Sequence, residues 1–229
     1  MQVGITKFPG TNNELDVKRV LKSLGIKNEL IYPNDVKKMD DMDALILAGG
    51  FSYGDYLRPG IIAVQTPIIE NLHDYANSER FVIGICNGFQ MLCETSLLPG
   101  VLSTNTSTKF ISKWVSIKTR VTSSPLLKGM ANRILRIPIA HFEGRYYDAN
   151  EEITKLANKN QIAFKYCKDD GEISLEDNPN GSIENIAGII NAKGNVLGMM
   201  PHPERASFQY LGSEDGRIIF ENLIEELKC

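Results

Sequence analysis

Residues 81–93 read FVIGICNGFQMLC, an apolar run over 81–85 that stops at Cys86-Asn87-Gly88 and passes at once into a helical pattern over 89–93. A near-continuous apolar run suits a strand covered on both faces, since a half-exposed strand would alternate. The join, Gly84-Ile85-Cys86-Asn87-Gly88, has the form of a nucleophile elbow with sulfur in place of the serine oxygen. A strand that turns sharply into a helix forces the residue at the bend into a strained conformation, and flanking side chains would clash where the chain doubles back. Cys86 then sits at a helix N-terminus, whose partial positive charge favours thiolate, and the free N–H of Asn87 faces any oxyanion that forms. The five residues alone leave two readings open, a nucleophile or a small buried thiol in a glycine-bearing turn. Partners elsewhere in the chain must decide.

Outward from the elbow, the first half alternates short apolar runs with helical patterns: 2–6 extended, 13–24 amphipathic, 29–32 extended, 44–48 extended, 61–76 helical. That order predicts an α/β fold, a central parallel sheet with helices on its faces and a site at the carboxyl ends of the strands. Over 113–138 the β-branched segments WVSIKTRV and RILRIPI predict an antiparallel extension or hairpin layer. Further strands are expected near 161–166, 186–191 and 196–199. The polar loop KDDGEISLEDNPNGS precedes the second of these, and a tight turn at Gly194-Asn195 precedes the third. A closing helix over 212–228 carries Ile218, Ile219, Leu223, Ile224 and Leu227 on one face.

A chain of 229 residues with 42% hydrophobic content and no linker or repeat is read as one domain over 1–229. Its formal net charge of -3 leaves no basic surplus for a phosphate backbone, so nucleic acid is not an expected partner. The start MQVGITKFPG does not have the pattern of an export signal, and no run of ~18 apolar residues occurs, so a cytoplasmic protein is expected. Cys86, Cys93, Cys167 and Cys229 form no C-x-x-C pair, and His73, His141 and His202 never stand at H-x-x-x-H spacing, so no metal is expected. Cys93 falls two helical turns beyond Cys86 without elbow context and reads as core. Cys167 and Cys229 have no catalytic context either.

A cysteine nucleophile needs a base that a third group orients, and Pro201-His202-Pro203-Glu204 offers both beyond the apolar strand at 196–199. Residues two apart in an extended segment project to the same side, so Glu204 can hold one ring nitrogen of His202 while the other faces the thiol. His141, in Pro138-Ile139-Ala140-His141-Phe142-Glu143-Gly144, is the rival base; His73 has polar neighbours and reads as solvated. A second oxyanion donor is expected in Ala48-Gly49-Gly50-Phe51-Ser52-Tyr53-Gly54-Asp55, where paired glycines let N–H groups approach a negative charge. This stretch contains neither G-x-x-x-x-G-K-[ST] nor G-x-G-x-x-G, which argues against a nucleotide loop.

The stations GGFSYGDYLRPG, GICNGFQML and GMMPHPERA resemble class I glutamine amidotransferases, and among them the glutaminase subunits of phosphoribosylformylglycinamidine synthases. The likeness runs from FPGTNNELD through IPIAHFEGRY and NPNGSIENIAGIIN to PHPER. It implies a flavodoxin-like amidotransferase domain, with a mostly parallel sheet and an antiparallel extension. It also implies Cys86 as nucleophile, His202 as base and acid, Glu204 as its orienting group, Gly50 and Asn87 as oxyanion donors, and Gln90 as a holder of the glutamine amino-acid moiety. Ammonia from glutamine would pass to a large, PurL-like synthetase subunit, with a small PurS-like subunit. ATP and Mg would be bound in the partner and no cofactor in this chain. Phe142, where a small residue is usual, and Pro59, where alanine is usual, depart from the family pattern. Two other functions compete: a docking module on the same fold, which has no need of Cys, His and Glu together, and a cysteine peptidase or deglycase, whose base would lie close after the elbow.

Overall fold

In a computed structural model of the chain, residues 1–120 and 124–228 are described. Residue 121, which falls in WVSIKTRV, and Cys229 lie outside them. In chain order the elements are β1 (Gln2–Thr6), α1 (Glu14–Ser23), β2 (Lys27–Ile31), α2 (Val36–Asp40), β3 (Ala44–Leu47), α3 (Pro67–Glu70), α4 (Leu72–Asn77), β4 (Phe81–Ile85) and α5 (Asn87–Glu94). They continue with β5 (Val101–Ser103), β6 (Ile111–Thr119), β7 (Ile134–His141), β8 (Arg145–Tyr147), α6 (Asn150–Asn158), β9 (Ile162–Cys167), β10 (Ile186–Ile190), β11 (Val196–Met199) and α7 (Arg217–Lys228).

Nine strands form one sheet in the order β2-β1-β3-β4-β11-β10-β9-β6-β7, and β5 with β8 forms a separate antiparallel ribbon. The pairings β1–β2, β1–β3, β3–β4 and β4–β11 are parallel. Those of β10 with β11 and β9, and of β6 with β9 and β7, are antiparallel. The antiparallel extension is thus as large as the parallel part. β11, the last strand, lies in the middle, parallel to β4 on one side and antiparallel to β10 on the other.

Every residue of β3, β10 and β11 is buried, and because successive strand residues point to opposite faces, the sheet is covered on both. Burying each such Leu, Ile or Val contributes roughly 1.5–3 kcal/mol. The closing helix α7 starts at Arg217, five residues later than the pattern suggests, and turns Ile219, Phe220, Leu223 and Ile224 inward.

The helix expected over 61–76 is broken. A short 3-10 turn at Ala63–Gln65 ends at Thr66, whose ψ of 148° is extended, and α3 restarts at Pro67. The proline ring disfavours a helical conformation at the residue before it, and proline itself suits the first turn of a new helix. A second break, at Asn71, separates α3 from α4.

Candidate active site

β4 delivers Cys86 to its carboxyl end, where the residue takes φ 53° and ψ -105° as it caps α5. This is the strained bend the sequence predicts, in a region few non-glycine residues occupy. Gly88 permits it, since a Cβ there would stand 2.1 Å from the carbonyl oxygen of Leu47 on β3. Cys86 is 5% exposed, and its thiol donates to the Ala140 carbonyl at 3.8 Å. That contact joins the elbow to β7, at the far edge of the sheet.

His202 follows β11, the strand beside β4. Its N–H donates to the Pro138 carbonyl at 2.8 Å, so β7 anchors both the base candidate and the thiol. His202 and Glu204 are buried, and Nδ1 lies 2.7 Å from Glu204 Oε1. Asn13, at the start of α1, donates to the same Oε1 at 2.8 Å. The other ring nitrogen, Nε2, makes no hydrogen bond of ordinary geometry, while the Cys86 sulfur is close enough to couple to the ring. Burial alone would push His202 down; the Glu204 carboxylate and the sulfur outweigh it and carry the ring up to about 10.

His141 ends β7 in a different environment. Asn105 Nδ2 donates to the carbonyls of Lys109 and His141, and its Oδ1 accepts from the Gly144 N–H, which fixes the amide orientation. The 3.1 Å contact from His141 Nδ1 to that oxygen is therefore an Nδ1–H donation, and Nε2 is a bare acceptor, buried without a partner. Burial first, and the nearby charge of His202 second, push His141 down to about 3. No carboxylate orients it, and it stays neutral, so it does not match the oriented-base role that the sequence left open to it.

Two adjoining cavities share Cys86, Gly50, Phe51 and Ala140. One, of about 260 Å³, is lined also by Asp55, Pro59, Gln90, His141, Phe142 and Glu143. The other, of about 230 Å³, reaches Asn12, Asn13, Phe110, Ser112, His202 and Arg205. Phe142 and Pro59, the two departures from the family pattern, both lie in the wall of the first.

Gly50 has φ +145°, and a Cβ there would meet the backbone of Thr11 and Asn12 within 2.8 Å. The loop it opens is tied to the turn before α1, with Phe51 N–H on the Gly10 carbonyl and Asn12 and Asn13 N–H on that of Gly49. Asn87 links loop and elbow: its Oδ1 accepts from Ser52 N–H at 3.0 Å, and its Nδ2 donates to Asp55 Oδ1 at 3.2 Å and Gln90 Oε1 at 2.8 Å. As the first residue of α5, Asn87 keeps a main-chain N–H with no partner inside the helix. Gln90 Nε2 donates to the Glu143 carbonyl at 2.6 Å. The loop containing NPNGS braces the wall from behind, with Asn180 Nδ2 on the Gly144 carbonyl at 2.8 Å.

All six residues expected at the site gather here: Cys86, His202, Glu204, Gly50, Asn87 and Gln90. Asn13, Asp55 and Glu143 join them from within the quoted stretches and Asn105 from outside them, none with a sequence signal of its own. Cys93 is core, its thiol on the Pro99 carbonyl and pushed up by burial. Cys167 is buried in β9, and burial pushes its thiol up to about 11. His73 is exposed, with Nε2 2.6 Å from the Thr95 carbonyl. Among the described residues, no helix is long and apolar enough to cross a membrane.

A family profile described as a CobB/CobQ-like glutamine amidotransferase domain matches residues 1–217. A relative from Aquifex aeolicus, phosphoribosylformylglycinamidine synthase subunit PurQ, is 45% identical over 99% of this chain and 100% of its own length. The subunit of the same name from Pelagibacter ubique is 43% identical over the full length of both. Among solved structures, a chain in the structure of PurLQS from Thermotoga maritima superposes with TM-score 0.87, at 37% identity, over 99% of this chain and 98% of that one.

Proposed function

The chain belongs to the CobB/CobQ-like glutamine amidotransferase family, and from that membership we propose how its residues work as the glutaminase subunit of phosphoribosylformylglycinamidine synthase in purine biosynthesis. It acts as one domain over residues 1–229, in the cytoplasm. Its partners are the large synthetase subunit and the small subunit of a PurLQS-type assembly. ATP and Mg act in the synthetase.

The observation that carries the reading is the elbow cysteine beside a histidine whose Nδ1 is held 2.7 Å from a buried carboxylate. Glu204 keeps the His202 ring charged and oriented beside the sulfur of Cys86. The thiolate attacks the side-chain carbonyl carbon of glutamine, and the main-chain N–H groups of Gly50 and Asn87 hold the oxyanion. As the tetrahedral adduct collapses, the C–N bond breaks and His202 Nε2–H gives its proton to the departing ammonia, leaving a thioester. The neutral imidazole then takes a proton from water, hydroxide adds to the thioester, and the C–S bond breaks to release glutamate and restore the pair. Ammonia passes to the synthetase subunit, which uses ATP to convert formylglycinamide ribonucleotide to formylglycinamidine ribonucleotide.

The test is glutamate release from glutamine by the chain alone and assembled with its partner subunits, beside a Cys86→Ala variant. Release that rises on assembly and vanishes in the variant supports the mechanism. Release that persists without the thiol would remove Cys86 from it.

A further inference from the structure

Glu204 is 1% exposed, and among the described residues its carboxylate receives two hydrogen bonds, both on Oε1. One comes from His202 Nδ1 at 2.7 Å, the other from Asn13 Nδ2 at 2.8 Å. The second oxygen, Oε2, is buried without a partner. A carboxylate out of reach of water depends on the few donors it has, and Asn13 is one of them. The charged ring carries a hydrogen on Nδ1, so the 3.4 Å contact between Asn13 Nδ2 and His202 Nδ1 sets two donors side by side on one acceptor. A reversed amide would aim its oxygen at the carboxylate, which leaves Nδ2 inward as the sense that bonds.

The main chain of Asn13 is pinned on both sides. Its N–H donates to the Gly49 carbonyl at 3.2 Å, and its own carbonyl accepts from the N–H groups of Asp16 and Val17 at 3.1 Å as α1 begins. The residue is 1% exposed, so its short side chain has little freedom left to lose. Gly49 in turn packs against the reacting pair, since a Cβ on it would stand 2.9 Å from His202 Cε1 and 3.4 Å from Cys86 Cβ. Glu204 and His202 share one short segment and could swing together about the bond between them. A bond from α1, a separate element, stops that motion.

We propose that Asn13 is a positioning residue of the glutaminase: its amide holds Glu204, and through Glu204 the His202 ring, in place beside Cys86. The proposal rests on the glutaminase reading and adds a neutral fourth member, from the opposite end of the chain, to the cysteine, histidine and glutamate. Asn13 takes no part in the proton transfers; it limits the arc through which the ring can move.

The experiment measures glutamate release by the chain assembled with its partner subunits, for wild type, Asn13→Ala and Asn13→Asp, and for Asn13→Ala on a Glu204→Ala background. Asn13→Ala is expected to lower kcat by about tenfold with KM for glutamine changed by less than about threefold. Asn13 also lines the second cavity, so a raised KM with kcat intact would make it a substrate contact and overturn the proposal. Asn13→Asp keeps the shape and suits a helix start, yet it cannot donate and sets a second carboxylate beside the first. It is expected to cost more than the alanine, about 10²-fold in kcat, whereas a role in shape alone would make it the milder change. Where Glu204 is already alanine, removing the amide is expected to cost less than about twofold, because the group it acts through is gone. Asn13→Asp within about threefold of wild type, or losses that simply multiply across the Glu204→Ala background, would sink the role. The alanine pair decides the matter if circular dichroism shows Asn13→Asp unfolded. A wild-type assembly that releases no glutamate would instead remove the glutaminase reading itself.

Discussion

His202 and His141 are both buried beside Cys86, yet their surroundings move them in opposite directions, to about 10 and about 3. Burial disfavours the charged ring in each. The difference lies in one carboxylate: Glu204 stands 2.7 Å from the first ring, whereas the second faces a neutral amide and feels the first as a like charge. A histidine becomes a charged catalytic partner through what holds its far nitrogen, and depth in the protein does not decide it.

The sharpest way to break this comparison is to remove the rings in turn. His202→Ala is expected to lower glutamate release by about 10³-fold or more, since it removes the proton carrier for both half-reactions. Glu204→Gln leaves the ring but removes the charge behind it, and a loss of about 10²-fold is expected in kcat. A variant at Glu204 with full activity would show that the carboxylate is only a packing element.

Stability against pH separates the two histidines by sign. His202 binds its proton more tightly folded than unfolded, so its contribution is complete below about pH 6.5 and is lost as pH rises toward about 10. His141 binds its proton less tightly folded, so its contribution is complete above about pH 6.5 and is lost as pH falls toward about 3. Each slope approaches ~1.4 kcal/mol per pH unit inside its window. Urea unfolding from pH 4 to 9 should show His141→Asn flattening the acid limb alone, and His202→Asn flattening the alkaline limb and softening the acid limb less, since the charge of His202 also lowers His141. An alkaline limb unchanged in His202→Asn would end the distinction.

The smallest effect is expected at His141 itself. Asn at this position can keep the donation to Asn105, and His141→Asn should cost less than about tenfold in kcat, because no proton passes through that ring. A loss as deep as that of His202→Ala, with the fold intact by circular dichroism, would reverse the two roles.

The elbow and the PHPE segment were legible in the sequence because their chemistry lies in covalent neighbours: a turn needs its glycines within two residues, and Glu204 reaches His202 across one. Asn13 was not, since it meets Glu204 across 191 positions and only the sheet brings them together. Asp55 and Glu143 were equally silent, because only the fold brings both into the wall of one cavity. In the fold, the strands with continuous apolar runs could be read directly. α6 was missed because its stretch NEEITKLAN buries only Ile153 and Leu156, too few to set a period. β5 and β8 have three residues each, below the length at which alternation shows. The break at Thr66-Pro67 was written in the sequence, in the proline itself.

The central place of β11 has a consequence for the order of synthesis. A ribosome makes this strand after all the others, and until it arrives β4 can pair only with β3 and β10 only with β9. The thiol exists in the nascent chain from residue 86 onward, but the base proposed for it comes only with residue 202. Pairing between β4 and β11 spans more than a hundred residues, a contact of the slow, long-range kind. On the proposed mechanism a half-made chain therefore holds a cysteine that cannot consume glutamine, and the molecule becomes competent in one late event, when its last strand is inserted.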